Sequence, residues 1–432
     1  MRLRIEDCRI LQYDGAQWSV NSGSIDIKDD RIAAVGEALE PLSSQVPDKI
    51  IEADGALALP GLVNAHTHVA MGLLRNYADD MALMPWLERK IFPAEEKMTD
   101  EDVYWGSLLS IGEMIRSGVT AFADMYFHMH KTAEAVELTG VRAALSMGMV
   151  ASHAGEARQK TEALKEFFSE WNDTAGGRIR VDAGPHAIYT CVPEALEEIA
   201  AAAQELGCGV HIHLSETEGE VQDARKKYGH SPVAIAERAG LFESSTIAAH
   251  CVWVDDADME ILARHNVHVV HNPSSNLKLA SGIAPLPRQI EAGISPALGT
   301  DGSASNNNLN MFEEMHLAAL VHKGYSGDPT SIPAAKVLEM ATIGGAEALG
   351  LGDTVGSIEP GKKADIMLVS TEGLHLHPEL DPVSALIYSA QASDVKTVLC
   401  DGNVLMEDRR LLTIDEEEVK RRVGEISKRI TG

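Results

Sequence analysis

The chain has 432 residues, 45% of them hydrophobic, and a formal charge of −28 from 65 acidic against 37 basic side chains. The length suits one barrel of about 250–300 residues with a smaller domain beside it. So acidic a surface repels phosphate backbones and anionic lipid, which argues against nucleic-acid polymers and membrane surfaces as partners.

In chain order, Arg2–Ile10 alternates as a strand, and Ser24–Lys28 and Arg31–Val35 flank Asp29-Asp30 as a hairpin. Strand-like runs then alternate with helical ones. The predicted strands are Ala58–Asn64, Val119–Asp124, Arg142–Met149, Ile179–Gly184, Gly209–Leu214, Thr246–Cys251, Val267–His271 and Ser295–Gly299. The predicted helices include Asp100–Ser117, Pro193–Leu206, Asp256–His265 and Asn310–Lys323. Beyond residue 350 short strands return: Asp365–Val369 after the turn Glu359-Pro360-Gly361, then Val395–Cys400 and Asn403–Met406 around Asp401-Gly402. A charged closing helix follows over Asp415–Ile430. The expectation is an α/β protein: a (β/α)8 barrel over 58–349, with a small β-sandwich domain from 1–57 and 350–432 that includes the closing helix. A doubly wound sheet fits the alternation too. The candidate ligands, however, fall at the ends of strands one, five, six and eight, and only a closed barrel gathers those ends around one axis.

No window approaches the ~18 apolar residues of a membrane span, and charges occupy the N-terminal stretch where a signal peptide needs an apolar core. Five cysteines (Cys8, Cys191, Cys208, Cys251, Cys400) are dispersed without CxxC pairing, which points to reduced thiols and a cytoplasmic location.

The chemistry lies in His66-Thr67-His68, His213, His250 and Asp301. Histidines at i and i+2 on a strand share a face and grip one ion from one side. His213 and Asp301, from distant strands, close the shell with ligand types that Zn²⁺ or Fe²⁺ favours. In His211-Ile212-His213 both rings face one way. His213 is nearer the mouth and is assigned to the metal, with His211 as deeper packing. Glu216, just past that strand, reads as a general acid/base; the plain alternative is a helix-cap carboxylate. His250 is either a further ligand or the group that orients the attacking water, and the second role is preferred. Asp301 touches ion and water and accepts a proton; the plain alternative is a turn-forming Asp-Gly. The loop His271–Asn276 is expected to orient the site. His153, His316, His322, His375 and His377 read as surface or packing residues. No lysine stands at a strand end where a carbamylated bridge would hold a second ion, Lys278 in the loop after strand seven being a weak exception, so one divalent ion is expected, Zn²⁺ before Fe²⁺.

These residues resemble the amidohydrolase superfamily, in its cytosine-deaminase-like branch, and within it the 5-methylthioadenosine/S-adenosylhomocysteine deaminase family. The resemblance spans essentially the whole chain, including Gly356–Asp365. More telling are Trp86-Leu87-Glu88, Phe92-Pro93-Ala94-Glu95, Gly184-Pro185-His186, His213–Thr217 and Asp301–Asn307. It implies metal ligation by His66, His68, His213 and Asp301, ring protonation by Glu216 and nucleophile positioning by His250. It also implies ribose binding by Glu95, a nucleoside contact from His186 and a pocket wall at Trp86. The implied activity is hydrolytic deamination at C6 of an adenine nucleoside, a small-molecule substrate, with a homo-oligomer left open. Members that accept S-adenosylhomocysteine imply arginines near the third barrel strand. Arg158 is the candidate, yet that strand ends Leu145-Ser146-Met147-Gly148. An apolar Met147 suits a methylthio or deoxy group, which ranks S-adenosylhomocysteine below methylthioadenosine, 5′-deoxyadenosine and adenosine. The rivals are an aminohydrolase for guanine, a pyrimidine or a triazine, and a catalytically silent barrel.

Overall fold

The computed structural model describes residues 1–37 and 46–432. The apolar runs of the middle of the chain form eight strands: Leu62–Thr67, Val119–Tyr126, Arg142–Met149, Ile179–Pro185, Val210–Leu214, Thr246–His250, His268–His271 and Ala297–Leu298. They pair in sequence order and in parallel. Strands buried on both faces need continuous apolar runs rather than alternation, and Val119–Tyr126 is buried at every position. The ring closes between its ends: Asp301 N donates to His66 O (3.0 Å), Thr300 N to Asn64 Oδ1 (2.9 Å) and Asn64 Nδ2 to Thr300 Oγ1 (2.7 Å). Gly299 permits that approach, since a Cβ there would lie 2.8 Å from His66 N.

The intervening helices begin and end where local chemistry directs. Thr99 and Asp102 form a reciprocal cap on Asp100–Arg116, and Asp255 and Asp258 do the same for Asp256–Arg264. Pro193 opens Pro193–Leu206, and Gly207 ends it at φ 66°. Among the described residues no helix is long and apolar enough to cross a membrane.

The predicted strand Ala58–Asn64 is two strands in two sheets, a correction. Leu57–Pro60 pairs with the terminal strands, and only Leu62–Thr67 enters the barrel. Gly61 is the changeover. Its N–H donates to Asp365 O (3.0 Å), while Leu62 N–H donates to Gly118 O (2.9 Å). A Cβ at Gly61 would sit 2.2 Å from Thr120 Oγ1. Apolar periodicity reports burial, and both strands are buried, so it carries no mark of the change of sheet.

Both chain ends build one sheet, in the order Arg410–Leu411, Asn403–Glu407, Val395–Cys400, Ile366–Val369, Leu57–Pro60, Arg2–Tyr13, Trp18–Lys28, Arg31–Gly36, with Lys49–Glu52 beside Arg2–Tyr13. Alternation sorts its faces. Ala58, Ile366 and Leu368 join Ile5, Ile27 and Leu399 in the sheet's own core, whereas Leu57, Leu59, Met367 and Val369 pack into the barrel core. Each fully buried Leu or Ile contributes roughly 1.5–3 kcal/mol. The closing helix is Glu416–Thr431, capped by Asp415. It lies against the barrel helix Asp100–Arg116, with Arg116 paired to Glu416 (2.5 Å) and Arg429 to Asp102.

Candidate active site

At the carboxyl ends of the barrel strands, His66 and His68 leave the first strand on one face, as their i, i+2 spacing requires. Their Nε2 atoms lie 3.4 and 3.2 Å from Asp301 Oδ1. His68 Nε2 is 3.1 Å from His213 Nε2. Donor atoms of His66, His68 and His213, and separately of His66, His250 and Asp301, cluster within 4.8 Å.

Hydrogen bonds behind the rings orient them. His68 Nδ1 donates to Met125 O (2.6 Å) and His213 Nδ1 to His186 O (2.8 Å). Both Nε2 atoms therefore turn lone pairs toward each other, which a cation, or a proton on His68, reconciles. Burial opposes charge on His68, but the Asp301 carboxylate outweighs it and raises that ring to about 9. Burial lowers His66 to about 4, which keeps it neutral. His66 Nε2 is buried without a hydrogen-bond partner. Three imidazoles and a carboxylate around an orphaned nitrogen fit a divalent ion.

Asp301 Oδ2 accepts from Ser275 Oγ (2.6 Å) and Ser305 Oγ (2.8 Å). His250 Nδ1 bonds Asn276 Oδ1 (2.8 Å), and its Nε2 stands 3.9 Å from Glu216 Oε2. Ser281 Oγ donates to Glu216 Oε1 (2.9 Å), while the Glu220 carboxylate takes the N–H groups of Ser215 and Glu216 (3.1 and 2.8 Å). Burial pushes the Glu216 carboxyl up. Four non-glycine residues here hold left-handed backbone: Ser215 (φ 50°), His250 (75°), Cys251 (45°) and Asp301 (61°). Each such residue costs of order 1–3 kcal/mol and persists because the surrounding contacts over-determine it.

A cavity of about 230 Å³ opens over this floor. His68, His213, His250, Glu216 and Asp301 line it, together with Glu95, His186 and Trp86, all singled out from sequence. Glu95 is raised by burial and accepts from Tyr126 Oη (2.6 Å). Burial lowers His186 to about 4. Arg158 and Met147 do not line the cavity, a correction. The Arg158 side chain is 68% exposed on the helix Ala154–Trp171 and pairs with Glu198 (3.0 Å). On the third strand Ser146 reaches His211, and the cavity is lined from the strand's end by Gly148, Met149 and Val150, past Met147. Lys278 binds Asp79 (2.6 Å). His211 is more than packing, for its Nε2 meets His66 Nδ1 at 2.8 Å.

Sequence reasoning missed Tyr126, Ser281 and Tyr189; Ser275 and Asn276 lie in the His271–Asn276 segment expected to orient the site, and Ser305 in the Asp301–Asn307 motif, but none of the three was given a role. Tyr126 alone carried a signal, as the last residue of a buried strand. Ser281 is a small polar residue and Tyr189 a lone aromatic, both outside the regular strands and helices, and neither carries a mark of its own.

The model of the Amidohydrolase family matches residues 57–405. The 5-methylthioadenosine/S-adenosylhomocysteine deaminase of Acetivibrio thermocellus is 48% identical over 430 residues, covering 100% of each chain. The 5′-deoxyadenosine deaminase of Methanosarcina acetivorans is 47% identical, covering 96% of this chain and 95% of its own. Among solved structures, an adenosine deaminase from Xanthomonas campestris with bound zinc superposes with a TM-score of 0.93 at 35% identity, covering 99% of this chain and 98% of that one. The chain belongs to the amidohydrolase family.

Proposed function

We propose that the chain is a metal-dependent aminohydrolase that deaminates adenine nucleosides at C6, releasing ammonia and the inosine analogue. The observation that carries this reading is the convergence of His66, His68, His213 and Asp301 beneath a cavity that also presents Glu216, His250, Glu95 and His186. The names of the full-length relatives support it, as does the zinc-bound adenosine deaminase neighbour.

His66, His68, His213 and Asp301 would hold one divalent ion, Zn²⁺ in preference to Fe²⁺. When bound, such an ion supplies a nucleophile from water at neutral pH. Asp301 accepts a proton from the attacking water, and Ser275 and Ser305 hold its far oxygen in place. His250, its Nδ1 proton committed to Asn276, turns Nε2 to the nucleophile. Glu216 donates its proton to the ring nitrogen beside C6 as that carbon becomes tetrahedral. Ser281 keeps the carboxyl oriented. The proton taken by Asp301 then reaches the amine, the C6–N bond breaks and ammonia leaves, and the proton of the new C6 hydroxyl restores Glu216. Tyr126 holds one oxygen of Glu95, and the other binds the ribose hydroxyls. His186 contacts the nucleoside, and Trp86 walls the pocket.

Among the described lining residues none is Lys or Arg, while Glu95, Glu216 and Asp301 bring three carboxylates. A substituent with its own carboxylate finds no Lys or Arg in that lining, and burying it unpaired is costly. S-adenosylhomocysteine therefore ranks below methylthioadenosine, 5′-deoxyadenosine and adenosine. The dispersed free thiols fit a cytoplasmic enzyme.

The test is a panel of 5′-substituted adenosines, followed by the absorbance change of the purine, with metal analysis of the same sample. The neutral 5′ substituents should turn over with kcat/KM at least about tenfold above S-adenosylhomocysteine, a difference of ~1.4 kcal/mol in transition-state binding. Ammonia released from guanine or free pyrimidines, and none from adenine nucleosides, would sink the reading.

A further inference from the structure

Three site imidazoles turn Nδ1 to an oxygen: His68 to Met125 O, His213 to His186 O and His250 to Asn276 Oδ1. His66 does not. Its Nδ1 meets another ring nitrogen, His211 Nε2, at 2.8 Å, and His211 Nδ1 meets Ser146 Oγ at 3.2 Å. All three side chains are fully buried. An oxygen that only accepts dictates where the imidazole proton sits. A facing imidazole does not, because either ring can donate.

The proton position matters at the other end of His66. With the proton on Nδ1, Nε2 offers a lone pair to a cation. With the proton on Nε2, that nitrogen faces Asp301 Oδ1 at 3.4 Å as a donor and cannot ligate. The choice passes along the chain. A proton on His66 Nδ1 requires His211 Nε2 to accept, so His211 carries its own proton on Nδ1 and needs an acceptor there. Ser146 Oγ, a hydroxyl that accepts as well as donates, is placed to take it at 3.2 Å, so the whole chain is satisfied when a cation on His66 Nε2 sets its direction.

We propose that Ser146 and His211 are positioning residues that hold His66 in its metal-competent tautomer, through a buried Ser–His–His chain running behind the candidate metal centre. This rests on His66 being a ligand, as assigned above. The strand pattern accounts for the arrangement: Ser146 and His211 both sit on inward positions one layer below the mouth, where parity gives them the same face as His213.

The test is transfer of Zn²⁺ from the zinc-loaded protein to a competing chelator, for wild type, His211→Leu, His211→Gln and Ser146→Ala. His211→Leu removes the acceptor and should weaken zinc binding by about 10–100-fold, the range for partners that orient metal ligands. His211→Gln, which puts an amide oxygen in place of Nε2, should recover most of that loss. Ser146→Ala touches no ligand, yet leaves His211 Nδ1–H without an acceptor, and should weaken binding in the same direction by a smaller factor. Thermal stability of the chelator-treated proteins should stay near wild type, a result that a purely packing role for His211 does not give. Wild-type zinc affinity in Ser146→Ala overturns the proposal even if His211→Leu fails to fold, and so does His211→Gln binding no better than His211→Leu. A wild-type protein that binds no Zn²⁺ overturns both this inference and the ligand assignment beneath it.

Discussion

Two buried charged clusters sit at opposite ends of the barrel, and they are built to opposite rules. At the junction with the terminal sheet, Arg142, at the start of the third strand, forks onto Asp365 (2.8 and 3.0 Å) and reaches Asp401 (2.6 Å). Lys363 adds to Asp401 (2.9 Å), and Asp401 N–H donates to Asp365 (2.8 Å). Each cation there faces a carboxylate, Arg178 among them at 3.8 Å from Asp401, and the one vacancy there among the described residues is Arg178 Nε. At the strands' carboxyl ends, by contrast, His66 Nε2 and Asn276 Nδ2 are buried with no partner, and Ser215, His250 and Asp301 hold strained backbone. A polar network with its bonds filled fixes two bodies together, whereas one with vacant bonds is poised for a ligand. The barrel thus keeps stability at one end and chemistry at the other.

The sharpest way to break this contrast is Glu216→Gln. It keeps the shape and an acceptor for Ser281 but removes the proton proposed to reach the ring nitrogen. Turnover of methylthioadenosine should fall by at least the ~10²–10⁴-fold of general acid–base catalysis, with bound metal and melting temperature unchanged. Near-normal turnover with metal in place would return Glu216 to a structural role. The counterpart at the other end is Arg142→Met, which removes the Asp365 cation and leaves Asp401 to Lys363. It should cost about 3–5 kcal/mol of stability, read from denaturant midpoints, with kcat per folded molecule preserved. If activity fell while stability held, the two ends would not be separate in function.

A finer probe is the acid limb. Burial would raise Asp401, but Arg142 and Lys363 outweigh it and hold the carboxyl below its usual 3.8. The ionised group therefore stabilises the fold above about pH 3.8, and that contribution is lost as the pH falls through the depressed value. Asp401→Asn should lower the melting temperature at neutral pH and flatten its decline in acid. A parallel, uniformly shifted profile would mean that Asp401 does not titrate with the fold.

The two ends were unequally legible. At the mouth, HxH spacing and strand-end placement named His66, His68, His213 and Asp301, because chemistry restricts ligand type and parity restricts position. Glu95, His186 and Trp86 came only through family resemblance, since a carboxylate in a short helix carries no local mark of its pocket. The junction was read as a family signature at Gly356–Asp365 without its physical content: nothing near Asp365 in sequence announces Arg142, more than 200 residues away. His211 and His213 share a face, and two residues of strand rise, about 6.6 Å, separate a cavity-lining ring from the one behind it. Depth of that kind is set by the closed ring, not by local pattern.

Arg158 offers the smallest effect and a strict test of cavity electrostatics. Its guanidinium is two-thirds exposed and paired with Glu198, itself 36% exposed, so solvent screens the pair and its worth is at most about 1 kcal/mol. Arg158→Ala should leave kcat/KM within about twofold for methylthioadenosine and S-adenosylhomocysteine alike, a change of under ~0.5 kcal/mol in transition-state binding. A loss confined to S-adenosylhomocysteine would require the helix Ala154–Trp171 to carry its first turns over the cavity and bring a cation to the amino-acid carboxylate. Rates unchanged by Arg158→Ala on both substrates would leave discrimination to the apolar wall and the carboxylates beneath it.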